Sequence, residues 1–155
     1  MTPRRTTQLR CFDYTGYHRY FLTFCLRDRR NLFISHATVT LVLEALRTAA
    51  RRERFALLAY CFMPDHVHVL VGGTHETADL KRFVKTAKQM SAFRLGQTCW
   101  QSGFYERVLR SEEETEAVCS YIWQNPVRAG IVGSAEAYPF SGSDVFAFPE
   151  SMPRT

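Results

Sequence analysis

The sequence predicts an α+β fold in which one antiparallel sheet carries helices on one face. Strand-like and helix-like segments follow one another in the order β, α, β, β, α, β, and only the short turn at Pro64 and Asp65 separates the two middle strands. With 155 residues, of which 46% are hydrophobic, the chain can bury one core. This order with a tight central hairpin is that of a ferredoxin-like βαββαβ sheet.

The first two elements are a strand and a helix. Residues 17–26 are rich in aromatic and β-branched side chains and end at the basic residues 27–30, which is typical of a strand and a turn. In residues 35–52, apolar side chains recur at helical spacing, and Ser35 is placed to cap the helix.

A β-hairpin over residues 55–72 forms the centre of the chain. The sequence is almost wholly apolar up to Met63, and from His66 onward polar and apolar residues alternate. Because successive side chains of a strand point to opposite faces, one face of the second strand is expected in the core. The core-facing residues would be Val67, Val69 and Val71.

The opposite face of the same strand carries two histidines, His66 and His68. Two neutral imidazoles side by side could bind a divalent metal ion. Two exposed histidines on a half-solvated sheet would produce the same pattern, so spacing alone leaves both interpretations open.

The second helix is predicted over residues 77–95. Lys81, Lys85 and Lys88 project from one side of it, and no acidic residue alternates with them to form ion pairs within the helix. We expect these lysines to contact phosphates, the alternative being a simply solvated face.

A fourth strand over residues 104–110 precedes a third helix. Ser111 and Glu114 form a capping box at its start, and Pro126 requires the helix to stop near Asn125. Tyr121 and Asn125 are four residues apart and are expected on one face of the last turn. This added C-terminal helix would carry the tyrosine beside the sheet.

The predicted organisation is a flexible basic arm (1–16), one domain (17–132) and a tail (133–155). At most, the aromatic side chains of the tail are expected to pack against the domain. The arm contains Arg4, Arg5 and Arg10, and the formal charge of +5 with a pI of about 9.1 favours a polyanionic partner. The five cysteines form no Cys-x-x-Cys pair, and no membrane span or secretory signal is evident. We therefore expect reduced thiols and a cytoplasmic location.

Two motifs resemble one known family. Pro64-Asp65-His66-Val67-His68 is followed, in the same order as in the family, by a block from Tyr121 through Asn125-Pro126 to Gly130. Together they resemble the single-tyrosine HUH transposases, and most closely the REP-associated tyrosine transposase branch. Residues 20–24, 100–101, 104–105 and 138–141 also fit, although Phe140 stands where the family more often has Trp.

The resemblance implies a site and an activity. His66 and His68 match the metal-binding histidines, Tyr121 the nucleophile and Asn125 the third, amide-bearing ligand of Mg²⁺ or Mn²⁺. The implied activity is a metal-dependent single-stranded DNA endonuclease and strand transferase that forms a 5′-phosphotyrosine intermediate at sites near imperfect hairpins. Lys81, Lys85 and Lys88, with Arg4, Arg5 and Arg10 of the arm, would contact the DNA. A monomer and a homodimer that exchanges its tyrosine helix are both compatible with the sequence.

Two other functions are compatible with parts of the pattern. The chain could bind hairpin DNA or RNA as a regulator without catalysis. It could also be a zinc hydrolase that uses His66 and His68 with a further ligand such as His75 or Asp65, although no His-Glu-x-x-His motif supports this alternative.

Overall fold

The structure, a computed structural model, describes residues 12–147. Arg4, Arg5 and Arg10 of the predicted arm lie outside the described residues. The strands are β1 (Arg19–Cys25), β2 (Phe55–Met63), β3 (His66–Gly73), β4 (Tyr105–Leu109) and β5 (Ser141–Gly142). The helices are α1 (His36–Glu53), α2 (Leu80–Leu95), α3 (Glu112–Trp123) and the short α4 (Asn125–Arg128), with 3-10 turns at Arg27–Arg29 and Ala135–Ala137.

The five strands form one antiparallel sheet in the order β4-β1-β3-β2-β5. β1 therefore lies beside β3, and the register places Thr23 opposite His68 and Cys25 opposite His66. The first four strands have the ferredoxin-like arrangement that the order of elements predicts. The predicted α+β fold is confirmed, and β5 is an addition that the sequence did not reveal.

The sheet separates two apolar clusters. The larger cluster lies under α1 and α2 and contains Val67, Val69 and Val71, as the alternation of β3 predicts. The smaller cluster lies on the opposite face, where α3 packs against β2 and β3, and it contains Leu70 and Trp123. The histidine face of β3 is therefore partly covered by α3.

Side-chain caps set where the helices begin. Ser35 caps α1 as predicted by accepting a hydrogen bond from the backbone N–H of Thr38. α2 begins at Leu80 and not at residue 77, because the Asp79 carboxylate accepts hydrogen bonds from the first backbone N–H groups of the helix. α3 is capped by Ser111, as predicted.

The end of α3 differs from the prediction. The helix stops at Trp123, and Asn125 opens a separate helical turn, α4, with Pro126 in its first turn. Proline suits this position because the first backbone N–H groups of a helix have no intrahelical partner. Tyr121 and Asn125 therefore lie on two consecutive helices and not on one face of the last turn of α3.

The segment predicted as a tail packs onto the sheet. Gly142 of β5 pairs with Tyr60 of β2, and the Trp123 indole N–H donates to the Gly142 carbonyl oxygen at 3.0 Å. The Tyr138 hydroxyl donates to the carbonyl oxygen of Phe62. The sequence indicated at most a packing of aromatic side chains here, whereas this segment also adds a strand to the sheet, and these bonds tie α3 to β2.

Two further expectations concern composition. The cysteines of the described region, Cys25, Cys61, Cys99 and Cys119, are buried and free, as expected for reduced structural thiols. Within residues 12–147, every helix is too short or too polar to span a bilayer.

Candidate active site

His66 and His68 lie side by side on the face of β3 that carries α3. Their ring centroids are 4.7 Å apart, and both residues are half-buried. Alternation along the strand puts the two rings on the same face, since the valines between and beside them fill the core on the other face.

The Asp65 carboxylate orients His66. Its Oδ1 lies 2.7 Å from Nδ1 of His66, and its Oδ2 accepts a hydrogen bond from Nε of Arg29 at 2.8 Å. Burial raises the pKa of Asp65, but the hydrogen bonds from His66 and Arg29 outweigh burial and hold that pKa below its ordinary value. Asp65 is therefore ionised, and its carboxylate fixes the orientation of the His66 ring through Nδ1.

His68 has its own support on the neighbouring strand. Its Nδ1 lies 2.8 Å from the Thr23 hydroxyl. Burial, followed by the charges of His66 and Arg128, lowers the pKa of His68 to about 3, and burial also lowers the pKa of His66 against the effect of Asp65. Both rings are therefore neutral at pH 7, which is the form that binds metals.

The donor set fits a divalent ion. With a proton assigned to each Nδ1, the Nε2 lone pairs of His66 and His68 make no hydrogen bond among residues 12–147. Asn125 is half-buried, and its amide likewise makes no hydrogen bond within this range. Within the described part of the chain, no third His, Cys, Asp or Glu joins the two histidines in a group that could hold a metal ion.

Tyr121 lies on the wall of a groove that it shares with His68. Its side chain is 52% exposed, and the groove has a volume of about 560 Å³ between β4, β1 and α3. The Phe21 ring lies between the two, 5.4 Å from the His68 ring and 6.0 Å from the Tyr121 ring by centroids. Tyr105, Arg107 and Thr23 also line this groove. The structure thus brings the predicted tyrosine and one predicted metal ligand to a single groove.

Arg128 contacts Tyr121 twice. Its guanidinium carbon lies 3.9 Å from the centroid of the phenol ring, and its Nη2 donates to the Tyr121 carbonyl oxygen at 2.6 Å. Sequence reasoning missed this residue, although it lies inside the block that carries the resemblance.

The three lysines of α2 do not lie at the groove, because α2 packs on the opposite face of the sheet. Lys81 and Lys85 are exposed, and the Lys81 ammonium lies 5.6 Å from the ring centroid of Tyr14. Lys88 is half-buried and donates to two carbonyl oxygens, those of Gln101 at 3.1 Å and Gly103 at 2.6 Å. Burial lowers the pKa of Lys88, and its contacts favour a structural role over the predicted phosphate contact.

Four more residues contact the site in ways that the sequence did not predict, namely Arg29, Asp65, Thr23 and Phe21. The zinc hydrolase would need Asp65 as a metal ligand, whereas its two carboxylate oxygens bind His66 and Arg29. His75, the other candidate zinc ligand, lies beyond the end of β3 that is distant from His66, and its ring contacts the Thr77 hydroxyl. These placements speak against the zinc hydrolase.

Comparison with known proteins identifies the family. The sequence model described as "Transposase IS200 like" matches residues 15–125, which include β1 to β4, both histidines and Tyr121. The chain belongs to the IS200-like transposase family. The match ends at Asn125, so α4 beyond its first residue and the segment that forms β5 lie outside it.

Two relatives of this transposase are REP-associated tyrosine transposases by name. One, from Escherichia coli K12, is 25% identical over 123 residues, which cover 79% of this chain and 74% of the relative. The other, from Haemophilus influenzae and provisionally named, is 24% identical over 144 residues, covering 83% and 81% of the two chains. A solved structure of a REP-associated tyrosine transposase bound to a REP hairpin superimposes with a TM-score of 0.76 at 22% identity, covering 97% of this chain and 99% of that one. The fold is shared with that protein.

Proposed function

We propose that this transposase is a metal-dependent single-stranded DNA endonuclease and strand transferase that acts at hairpin-associated sites. The observation that carries the proposal is the groove lined by both the exposed Tyr121 and the half-buried His68, with the Phe21 ring in contact with both. A tyrosine that only stabilised the fold would be expected to bury its ring, whereas this one is 52% exposed.

The proposed reaction transfers a phosphoryl group to Tyr121. The phenol oxygen forms a bond to phosphorus while the bond from phosphorus to the 3′ oxygen breaks, and the 3′ oxygen leaves with the electron pair. Water takes the phenol proton at the exposed side chain and supplies a proton to the 3′ oxygen. The product is a phosphotyrosyl link to the 5′ side of the DNA and a free 3′ hydroxyl. Because the link conserves the energy of the ester, a 3′ hydroxyl can reverse the step and join strands without ATP.

The residues that would hold the metal are His66, His68 and Asn125, and Mg²⁺ or Mn²⁺ is the proposed ion. When bound, the ion supplies a Lewis acid that stabilises charge on the phosphate oxygens. Two imidazoles and an amide suit Mn²⁺ better than the harder Mg²⁺, which prefers oxygen ligands. Asp65 and Thr23 keep the two rings in the orientation that exposes their free nitrogens.

The proposed substrate is a single strand next to a hairpin. The groove is lined by the rings of Phe21 and Tyr105, with Arg107 at the same wall, and such aromatic and basic lining suits unpaired bases and their phosphates. The REP hairpin in the related structure supports a hairpin partner. Lys81 and Lys85 of α2, with Arg4, Arg5 and Arg10 of the arm, remain proposed phosphate contacts outside the groove.

The test is covalent capture on DNA. A panel of imperfect-hairpin oligonucleotides with single-stranded flanks, labelled at the 5′ or the 3′ end, is incubated with the protein and MnCl₂ and resolved on a denaturing gel. We expect the 3′-labelled fragment to become attached to the wild-type protein and not to Tyr121→Phe. The matched control is Tyr17→Phe, since Tyr17 is exposed but lies outside the groove.

Other outcomes would change the assignment. An adduct that persists in Tyr121→Phe would exclude this nucleophile. Hairpin binding with equal affinity in both proteins and no adduct in either would make the chain a non-catalytic nucleic-acid-binding regulator. Attachment of the 5′-labelled fragment would reverse the proposed polarity.

A further inference from the structure

Arg128 contacts Tyr121, an exposed side chain of the groove, through both the ring and the backbone. The guanidinium carbon lies 3.9 Å from the phenol centroid, and Nη2 donates to the Tyr121 carbonyl oxygen at 2.6 Å. The second contact anchors the arginine to the same residue whose ring it covers. The stacked arrangement is therefore held at two points.

A cation over the face of a phenol has two physical effects. It restricts the rotation of an exposed ring, which otherwise could sample several rotamers. It also interacts more strongly with a phenolate than with a neutral phenol, because the charge that develops on the oxygen is delocalised into the ring. Both effects favour attack on phosphorus.

We propose that Arg128 is the residue that positions Tyr121 as the nucleophile and stabilises the charge that develops on its ring during attack. This inference rests on the proposed function, and it adds a residue that neither the metal site nor the tyrosine motif defines. Arg128 acts through Tyr121 and is therefore a positioning residue.

The backbone of α4 explains how the arginine reaches its place. Asn125 and Arg128 are the first and last residues of α4, and side chains three positions apart lie on the same side of a helix. One helical turn thus presents a candidate metal ligand, Asn125, and the cation that covers the nucleophile.

A purely structural role is the alternative. The Tyr121 carbonyl belongs to the last turn of α3, where carbonyl groups lack intrahelical partners, and Arg128 could serve only as their donor. Two substitutions separate the roles. Arg128→Gln keeps an amide N–H donor for the carbonyl and removes the charge, whereas Arg128→Lys keeps a cation of similar reach.

The experiment measures the single-turnover rate of adduct formation and, separately, the affinity for hairpin DNA under conditions without turnover. We expect Arg128→Gln to lower the rate about 10-fold and to change the affinity by less than about twofold. Arg128→Lys should keep most of the wild-type rate. The control is Arg52→Gln, since Arg52 is exposed on α1 in the layer on the opposite face of the sheet, and this variant should behave as wild type.

A spectroscopic measurement tests the stacking itself. The protein is labelled with 3-fluorotyrosine, and the resonance of residue 121 is assigned with Tyr121→Phe. We expect Arg128→Gln to move this ¹⁹F resonance, and Arg128→Lys to move it less. This measurement requires no turnover.

The outcomes are distinguishable. An unchanged rate in Arg128→Gln would reduce Arg128 to a helix cap and overturn the inference. A loss of affinity equal to the loss of rate would make Arg128 a DNA contact and would also overturn it. If the wild-type protein forms no adduct, the proposed function itself fails, and this is seen before any Arg128 variant is compared.

Discussion

The Asp65 carboxylate lies 2.7 Å from Nδ1 of His66 and is itself held by the Arg29 guanidinium at 2.8 Å. A carboxylate behind a metal-binding histidine fixes the ring and raises its basicity. We therefore expect Asp65→Asn to lower the affinity for Mn²⁺ by about 10- to 100-fold, measured by electron paramagnetic resonance of free Mn²⁺.

The control for this measurement is Asp28→Asn. Asp28 is exposed in the turn that carries Arg29, and its positive φ of 58° suits asparagine. Its Mn²⁺ affinity should equal that of the wild type. Equal affinity in Asp65→Asn would show that the carboxylate does not support a metal ligand.

The histidine pair should make the metal-free protein sensitive to acid. Burial, His66 and Arg128 lower the pKa of His68 to about 3, so between that pH and about 6.5 the unfolded chain binds a proton that the folded chain does not. The neutral His68 therefore costs the folded state nothing above pH 6.5, and the free energy of unfolding decreases as the pH falls from about 6.5 towards 3. We expect the free energy of unfolding in EDTA to decrease by about 2 kcal/mol from pH 7 to pH 4.5, measured by urea denaturation. His68→Gln should flatten this dependence, and an unchanged slope would assign the effect to other groups.

Lys88 should contribute to stability. Lys88→Met removes the donor to the carbonyl oxygens of Gln101 and Gly103, and we expect a loss of about 1 to 3 kcal/mol in the free energy of unfolding. Lys85→Met is the matched control on the same helix, since Lys85 is exposed, and it should change stability by less than about 0.5 kcal/mol. Similar stabilities for the two variants would mean that the buried ammonium contributes little.

The two exposed lysines of α2 allow a separate test on DNA. If Lys81 and Lys85 contact phosphates, replacing both by Met should weaken hairpin binding. The slope of the logarithm of the binding constant against the logarithm of the salt concentration should also become less negative by about 1 to 2. Filter binding over a range of NaCl concentrations measures both quantities. An unchanged affinity and slope would show that this face is solvated and does not contact the hairpin.

Tyr105 should bind an unpaired base. It is 37% exposed on the groove wall that also carries Phe21, and stacking of one base on an aromatic ring contributes about 1 to 3 kcal/mol. Tyr105→Leu should therefore weaken binding of a single-stranded oligonucleotide by about 10-fold in fluorescence anisotropy. Phe93→Leu, at an 86% exposed position on α2, should not, and an equal loss in both would remove the groove as the binding surface.

Local rules explain why much of the fold could be predicted from the sequence. The alternation after His66 correctly assigned Val67 and the two histidines to opposite faces, because strand geometry depends only on neighbouring residues. The Ser35 cap was predictable for the same reason. The strand β5 was not predictable, because its two residues pair with β2 through contacts that are distant in sequence.

The candidate site shows the same division. Tyr121, His66 and His68 could be named from motifs, since their chemical types and order are characteristic. Arg128 could not be assigned a role, because its position over the phenol depends on the break between α3 and α4. Lys88 was predicted to contact phosphate because helical periodicity does not show which loop packs over the end of a lysine side chain.

The sequence by itself determined the order of strands and helices and the two faces of β3, since these follow from local periodicity, and its motifs named the candidate residues His66, His68 and Tyr121. Only the tertiary structure decided that Asp65 contacts His66, that Phe21 contacts both His68 and Tyr121, and that Arg128 covers the tyrosine ring. These contacts depend on how β1, β3, α3 and α4 pack together, and packing is fixed by the whole core and not by any one segment.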